Sequence, residues 1–410
     1  MMIDANKNYW LYIASHIYCS IKNKCALLYN TQTGAYLETD NDKIIDLLQS
    51  LHEKKNLGAI SCEGQKLIET PFCEFITEFC TKEMGNLITV AQMPEKPIQL
   101  MPLLNLQHDI DKLQKGEVVK IGEEALENLI ELNIYLNNAC EQNCKYCPDY
   151  CRQFYCCHSN TEQNHLEISV LQDILSQIRY GVVGKINILG GNIFSYPELL
   201  QLNDVLANFQ EFTHFYIHYK NFKKNNILDS FYIELIVNFP VDNEIINQVL
   251  SGVNMEKTTV HFIIEDEEQY AVTEQLCEKY AIKRYKILPF FNGKNIHFFR
   301  ENIFMTKEDI FINPLQMREI FRNQKLNSNF FGVLYILPDG TVKANLNAEA
   351  LGNIKNDKVL ELIYKEMIDN TAWRQVRDSK PCRSCNYQFF CPAPSNYETV
   401  IGKPNLCHIY

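Results

Sequence analysis

Sixteen cysteines stand in this 410-residue chain, and they are unevenly spaced. Cys140, Cys144, Cys147, Cys151, Cys156 and Cys157 fall within 18 residues. Cys382, Cys385 and Cys391 fall within ten, with Cys407 close behind. The scattered ones, Cys19, Cys25, Cys62, Cys73, Cys80 and Cys277, read as small buried hydrophobes. In a compartment that keeps thiols reduced, two tight clusters indicate metal or iron–sulfur sites rather than disulfides. The first has the spacing C-x3-C-x2-C, so one short loop can aim three thiolates at one centre. Three thiolates hold three irons of a four-iron cluster and leave the fourth iron open, which is what chemistry needs. The same spacing admits two other fillings: zinc with Cys151 as the fourth ligand, or a fully ligated electron-transfer cluster. The second cluster supplies four thiolates on a compact C-terminal hairpin. These can close an iron–sulfur cluster or a structural zinc site. Cys151, Cys156 and Cys157 read as unliganded thiols beside the first cluster.

These residues need strands and helices to position them. From residue 128 the pattern alternates. Strands are predicted at Leu132–Leu136, Lys185–Leu189, Thr213–His218, Tyr232–Val237, Thr259–Ile264 and Arg284–Leu288. Helices are predicted at Leu166–Tyr180, Pro197–Phe209 and Tyr270–Tyr280. That order predicts an α/β fold with a parallel sheet, open or curled into a partial barrel, with its chemistry at the C-terminal strand ends. The first cysteine loop directly follows the first of these strands. Gly190-Gly191-Asn192 follows the second, and glycines there permit close approach of backbone to a ligand.

Residues 1–92 read as a small α+β module. Trp10–Ile21 and Cys25–Asn30 suit paired strands, and Thr31–Gly34 supplies a turn before Ala35–Glu38. A helix carries Ile44, Leu47, Leu48 and Leu51 and stops before Gly58. A second helix starts with Thr70 as N-cap and Pro71 at its first position, runs through Phe72, Phe75, Ile76 and Phe79, and ends at Gly85. Strands followed by two short helices predict a winged-helix-like arrangement. Residues 93–127, with Pro94, Pro97 and Pro102, read as a connector rather than a core element. In the last unit, residues 329–410, Val333–Leu337 and Thr341–Asn345 flank the hairpin signal Pro338-Asp339-Gly340, and Val359–Asp369 is helical.

Composition narrows the function classes. Apolar residues make up 46% and charged residues 22%, enough for sizeable cores and too ordered for wholesale disorder. A net charge of −11 argues against a nucleic-acid partner. No run of about 18 apolar residues suits a membrane span. The first ten residues carry neither a basic nor an apolar signal-peptide region, so a cytoplasmic location is expected.

With Tyr146 before its third cysteine, and placed straight after a strand, the Cys140–Cys147 motif resembles the radical S-adenosylmethionine (SAM) superfamily. The resemblance implies a partial (β/α)6 barrel over 128–328. Cys140, Cys144 and Cys147 would bind a [4Fe-4S] cluster whose open iron chelates SAM, and one electron would cleave SAM to a 5′-deoxyadenosyl radical. Tyr146 would pack near the adenine. Gly190, Gly191 and Asn192 would meet the SAM amino group, although the family usually has glutamate where Asn192 stands, so a charge-assisted contact is lost or weakened. Asn192 and Lys220 lie at strand ends suited to SAM.

Cys382-x2-Cys385-x5-Cys391 followed by Cys407 resembles the SPASM domain, which typically holds two auxiliary clusters. Asn345 and Ser395 stand where two ligands of the first auxiliary cluster are expected. The resemblance therefore implies that only the second is kept, on Cys382, Cys385, Cys391 and Cys407, giving two [4Fe-4S] clusters in all. Leu136–Cys140, Gln153–Cys157 and Cys391–Glu398 resemble a Bacteroidales group encoded beside precursor peptides with a double-glycine leader, which includes pseudo-radical-SAM members. This likeness implies a maturase that modifies, and crosslinks, a ribosomally synthesised precursor peptide. The leader would bind the winged-helix-like module, and an external donor such as flavodoxin or ferredoxin would supply the electron. The alternative is a catalytically degenerate protein that holds a precursor peptide or another maturase as a scaffold.

Overall fold

Alternation decides the central sheet. In Lys185–Leu189, Ile186 and Ile188 face one side, while Lys185, Asn187 and Leu189 face the other. A computed structural model describes residues 3–99, 106–157 and 164–409. Its N-terminal strands are β1 (Asn8–Ile13), β2 (Ile17–Lys22), β3 (Cys25–Asn30), β4 (Tyr36–Thr39), β5 (Ala59–Glu63) and β6 (Gly85–Thr89). The central strands are β7 (Glu131–Tyr135), β8 (Lys185–Leu189), β9 (Thr213–His218), β10 (Tyr232–Asn238), β11 (Thr258–Ile264) and β12 (Tyr285–Pro289). β13 (Val333–Ile336), β14 (Thr341–Lys343) and β15 (Gly352–Asn353) follow.

β7 to β12 pair in parallel, each beside its predecessor, as the alternating pattern predicts. β13 adds in parallel to the free side of β7, and β14 and β15 extend that edge antiparallel, so the sheet has nine strands. The outer face packs on helices. Ile168, Leu171, Ile174, Leu175 and Ile178 form the buried stripe of helix Ile168–Ile178, whose first N–H donates to Glu198 at 2.9 Å. The inner face is mixed. Tyr135, Leu189, Tyr216, Ile236, Ile263 and Tyr335 pack with Cys156 and Cys157, while Asn187 donates to Asn133 at 2.7 Å and to Glu131 at 2.8 Å.

Several expectations shift. The Pro197–Phe209 helix is broken into Leu202–Val205 flanked by 3-10 turns, in a segment whose Asn203, Asp204 and Asn208 are weak helix formers. The crossover from β9 to β10 carries only 3-10 turns. Trp10–Ile21 is not one strand. A turn at Ala14, with Ile17 N–H donating to its carbonyl at 3.0 Å, sends β1 and β2 into different three-stranded sheets, β5-β1-β6 and β2-β3-β4. β5 and β6 each follow a helix and are too short for periodicity to separate from loop. The second helix runs Phe72–Thr81 with Pro71 at its N-cap. Thr70 does not cap it, and Gly85 opens β6. Proline tolerates that boundary because it has no N–H to satisfy.

The supposed connector also contributes to the core. Helix Leu106–Gln114 buries Ile110 against the cluster that holds Ala125, Leu362 and Ile363. Pro94 and Pro97 lie outside helix and strand, and Pro102 falls outside the described residues. The Pro338–Gly340 turn joins β13 and β14 as predicted. The C-terminal cysteines do not lie on a strand hairpin. They sit on a 3-10 turn (Cys382–Ser384), the loop after it, and a bridge from Cys407 to Met305.

The N-terminal module is joined to this last unit by apolar packing. Leu27 and Tyr29 of β3 share a cluster with Ile310, Ile320 and Phe390, and the Tyr29 and Phe390 rings meet edge-on at 4.8 Å. Ser20 donates to Asn386 at 3.0 Å across the same seam.

Candidate functional site

Loops at the C-terminal ends of the parallel strands bring the first cluster together. The chain leaves β7 through Asn137–Ala139 into the cysteine loop, and the turn after β8 lies directly against it. Gly191 N–H donates to Asn137 at 3.0 Å, and Asn192 N–H to Ala139 at 2.6 Å. A Cβ on Gly191 would sit 2.3 Å from the Ala139 carbonyl, and Gly190 has φ of +150°. The two glycines are therefore required by the approach of two backbones, strand end to strand end. Asn192 caps the turn that follows, accepting from Phe194 N–H at 3.1 Å. Tyr146 packs its ring on Phe290 at 4.9 Å, with the Lys145 ammonium 4.6 Å from its centroid.

Cys140, Cys144 and Cys147 are partly exposed, whereas Cys151, Cys156 and Cys157 are buried beneath them. Cys140 and Cys157 act electrostatically on Cys144, and Cys147 and Cys151 on Cys156, so the six thiols form one neighbourhood. Burial, with Cys157 and Cys140 close by, pushes the Cys144 thiol up to about 11, against a hydrogen bond from Asn238 and the charge of Lys220. Cys156 Sγ lies 3.9 Å from Cys157 Sγ, and their hydrogen bond raises Cys156 and lowers Cys157. Tyr155 beside them meets Tyr216 edge-on and Tyr335 at a tilt, on the inner face of the sheet.

Sequence reading missed the donors that face these thiols. Asn221 Nδ2 donates to Cys140 Sγ at 3.3 Å, and Gln142 fixes that amide by donating to its Oδ1 at 2.9 Å. His218 Nδ1 accepts from Lys220 N–H at 3.2 Å, so its proton sits on Nε2, 2.9 Å from Asn238 Oδ1 and 3.8 Å from Cys144 Sγ. Burial holds His218 down at about 4, keeping the ring neutral. The only sequence signal for these residues is their place at the ends of β9 and β10. A cleft of about 250 Å³ opens here, lined by Cys144, Tyr146, His218, Lys220, Asn238 and Glu265 among others.

The second cluster is more enclosed. Cys382 and Cys385 are buried, and Cys391 and Cys407 are half-buried. Arg377 pairs with Glu398 at 2.5 Å while facing Cys382 and Cys391. Burial pushes the Cys391 thiol up to about 12 against that guanidinium. Tyr387 N–H donates to Cys385 Sγ at 3.4 Å, and Asn405 to Cys407 Sγ at 3.3 Å. Lys22 of β2 faces Cys385 and Cys382, and burial lowers its ammonium. Asn345 and Ser395 lie close by in a different role: Asn345 donates to Asn396 at 2.8 Å, and Ser395 caps helix Asn396–Ile401.

Among the described residues, no three His, Cys, Asp or Glu side chains converge on one metal ion. A four-iron cluster asks for less convergence, because each thiolate takes a different iron. Three loop thiols with N–H groups turned toward two of them suit that demand, as do four thiols with an arginine and a lysine beside them.

No family model matches the chain, and no curated protein does. Solved structures with a similar course include SuiB of Streptococcus suis, in crystals with precursor peptide SuiA or S-adenosylmethionine. It is 13% identical in both crystals, each alignment covers 97% of this chain and 98% or 99% of SuiB, and the TM-score is 0.47. Another is anSMEcpe with bound AdoMet, at 13% identity and a TM-score of 0.44 over 67% of this chain and 92% of that one. Coproporphyrinogen III oxidase from Escherichia coli matches 42% of this chain and 46% of its own, at 14% identity and a TM-score of 0.30. Among the described residues no helix is long and apolar enough to cross a membrane.

Proposed function

We propose that the chain is a radical SAM enzyme that modifies a ribosomally made precursor peptide, by crosslinking it. The supporting observation is the placement of Cys140, Cys144 and Cys147 on one loop at the strand ends, against the Gly190-Gly191 turn. When bound, the cluster and SAM supply hydrogen-abstracting radical chemistry. The protein's share is to orient and exclude. Lys220 and Glu265 face the same cleft with opposite charges, which complement the carboxylate and ammonium of SAM. Tyr146 and Phe290 offer an apolar wall for its adenine. A SPASM-like unit at 329–410 carries the second cluster on Cys382, Cys385, Cys391 and Cys407. Residues 1–92 take the leader by strand addition to a sheet edge. A flavodoxin or ferredoxin delivers the electron.

Anaerobic reconstitution tests this. With dithionite and SAM, the expected product is 5′-deoxyadenosine, from a protein holding about eight irons. About four irons and one zinc would assign zinc to the C-terminal cysteines. A reduced cluster that yields no 5′-deoxyadenosine would sink the enzyme reading.

One observation favours a second reading. Tyr155, Cys156 and Cys157 pack on the inner face of the sheet, and the Asn192 side chain is committed to a cap. A scaffold that binds precursor peptide without cleaving SAM fits those features. It predicts peptide binding by calorimetry from a chain with no turnover.

A further inference from the structure

Thiols alone do not fix what a cluster does. Hydrogen bonds to the sulfurs and local charge set its reduction potential. The loop thiols meet such donors on one flank, at the ends of β9 and β10. Asn221 is buried, and its amide cannot turn around freely, because Gln142 donates to Oδ1 and so leaves Nδ2 facing Cys140. His218 is equally fixed, with Nδ1 committed to the Lys220 N–H and Nε2–H shared between Asn238 and Cys144. Asn238 holds that ring in place through its Oδ1, 2.9 Å from Nε2. His218 and Asn238 end β9 and β10 and Asn221 lies in the turn after β9, so the fold gathers three polar side chains beside the loop thiols.

We propose that Asn221, with His218 and Asn238 beside it, raises the reduction potential of the cluster held by Cys140, Cys144 and Cys147. This rests on the proposed function, in which those three cysteines hold a cluster. One-electron reduction adds negative charge that spreads onto the thiolate sulfurs. An N–H dipole aimed at sulfur stabilises the reduced state more than the oxidised one. Asn221 contributes most, since its amide N–H is given to Cys140 alone among the described residues, while His218 divides one proton between two. These are positioning residues: they act through the ligands and need not touch a substrate.

The test is a redox titration followed by electron paramagnetic resonance on the full, doubly loaded chain. The signal missing from Cys140→Ala identifies the loop cluster. The expected order of midpoint potential is wild type highest, Asn221→Ala lower and Asn221→Asp lowest, with iron content unchanged and the C-terminal signal unmoved. Asn221→Leu, close to asparagine in size but with neither N–H nor charge, should also fall below wild type, and it still decides if the alanine variant does not fold. Equal loop-cluster potentials in wild type and Asn221→Leu overturn the proposal. If no signal depends on Cys140, the cluster reading itself fails and the proposal falls with it.

Discussion

The two cysteine clusters differ in what surrounds them more than in how many thiols they offer. At the strand ends, Cys140, Cys144 and Cys147 stand partly exposed on one loop, beside a cleft and a row of N–H donors. At the C-terminus, Cys382 and Cys385 are buried between the Arg377–Glu398 pair and the N-terminal sheet. One cluster borders free space and the other is packed into a seam. A site for chemistry needs an open position and electrostatic tuning; a site for structure needs neighbours that depend on it.

The largest test of that contrast is to empty each site in turn. Cys140→Ala, Cys144→Ala and Cys147→Ala together should remove roughly half of about eight irons and leave the melting temperature nearly unchanged. Cys382→Ala with Cys385→Ala should remove the other half and lower the melting temperature by on the order of 10 °C, because these two thiols are buried beside Lys22 of the N-terminal sheet. Equal thermal effects would erase the distinction. Next in size is Phe390→Ala, which removes the ring between Tyr18 and Tyr29. It should cost about 3–5 kcal/mol in urea unfolding and loosen the C-terminal iron before the loop iron.

A third test lies on the parallel strands. Glu234 accepts from His214 at 2.8 Å and from His261 at 2.5 Å. Burial would raise its carboxyl, but the two imidazoles and Lys185 hold it well below the usual carboxylate range. Burial keeps His261 low as well, so the ring stays neutral and donates its N–H. Both groups bind fewer protons folded than unfolded, so both stabilise most above their unfolded pKa values. Stability should fall with pH, first below about 6.5 from His261 and then below about 4.3 from Glu234. Glu234→Gln should cost about 3 kcal/mol at pH 7, flatten the lower part of that profile, and leave the iron count alone. The smallest effect is expected from Glu38→Gln, which breaks the exposed pair with Lys307 at the edge of the seam. It should change stability by less than about 1 kcal/mol, increasingly masked by salt.

The sequence was most readable where a pattern had one structural solution. Lys185–Leu189 and Thr213–His218 coincide with β8 and β9, since period-two runs flanked by turn residues fit little else. It was least readable where tertiary contact overrode local signal. Ile110 looked like part of a charged linker, and only the partner surface around Leu362 makes it core. The cysteine loops announced themselves by spacing. His218, Asn221 and Asn238 did not, because a donor to sulfur carries no motif and is defined only when β9 and β10 bring distant residues to one flank. The Gly190-Gly191 pair was found, yet for a reason that needed coordinates: its nearest neighbour is the backbone at Ala139.

The seam has a consequence for how the protein is made. Ser20 and Asn386 meet although 366 residues of chain separate them. On the ribosome, the apolar face of β3 emerges among the first segments, while Phe390 and the last cysteines emerge at the end. Leu27 and Tyr29 therefore stay uncovered throughout synthesis, a hydrophobic patch open to chaperones. Their full burial must wait for the C-terminal loop that carries Asn386 and Phe390. Docking of that last segment then becomes the step that ends assembly, and chains cut short before Phe390 should accumulate with the first module undocked and exposed to proteases at the seam.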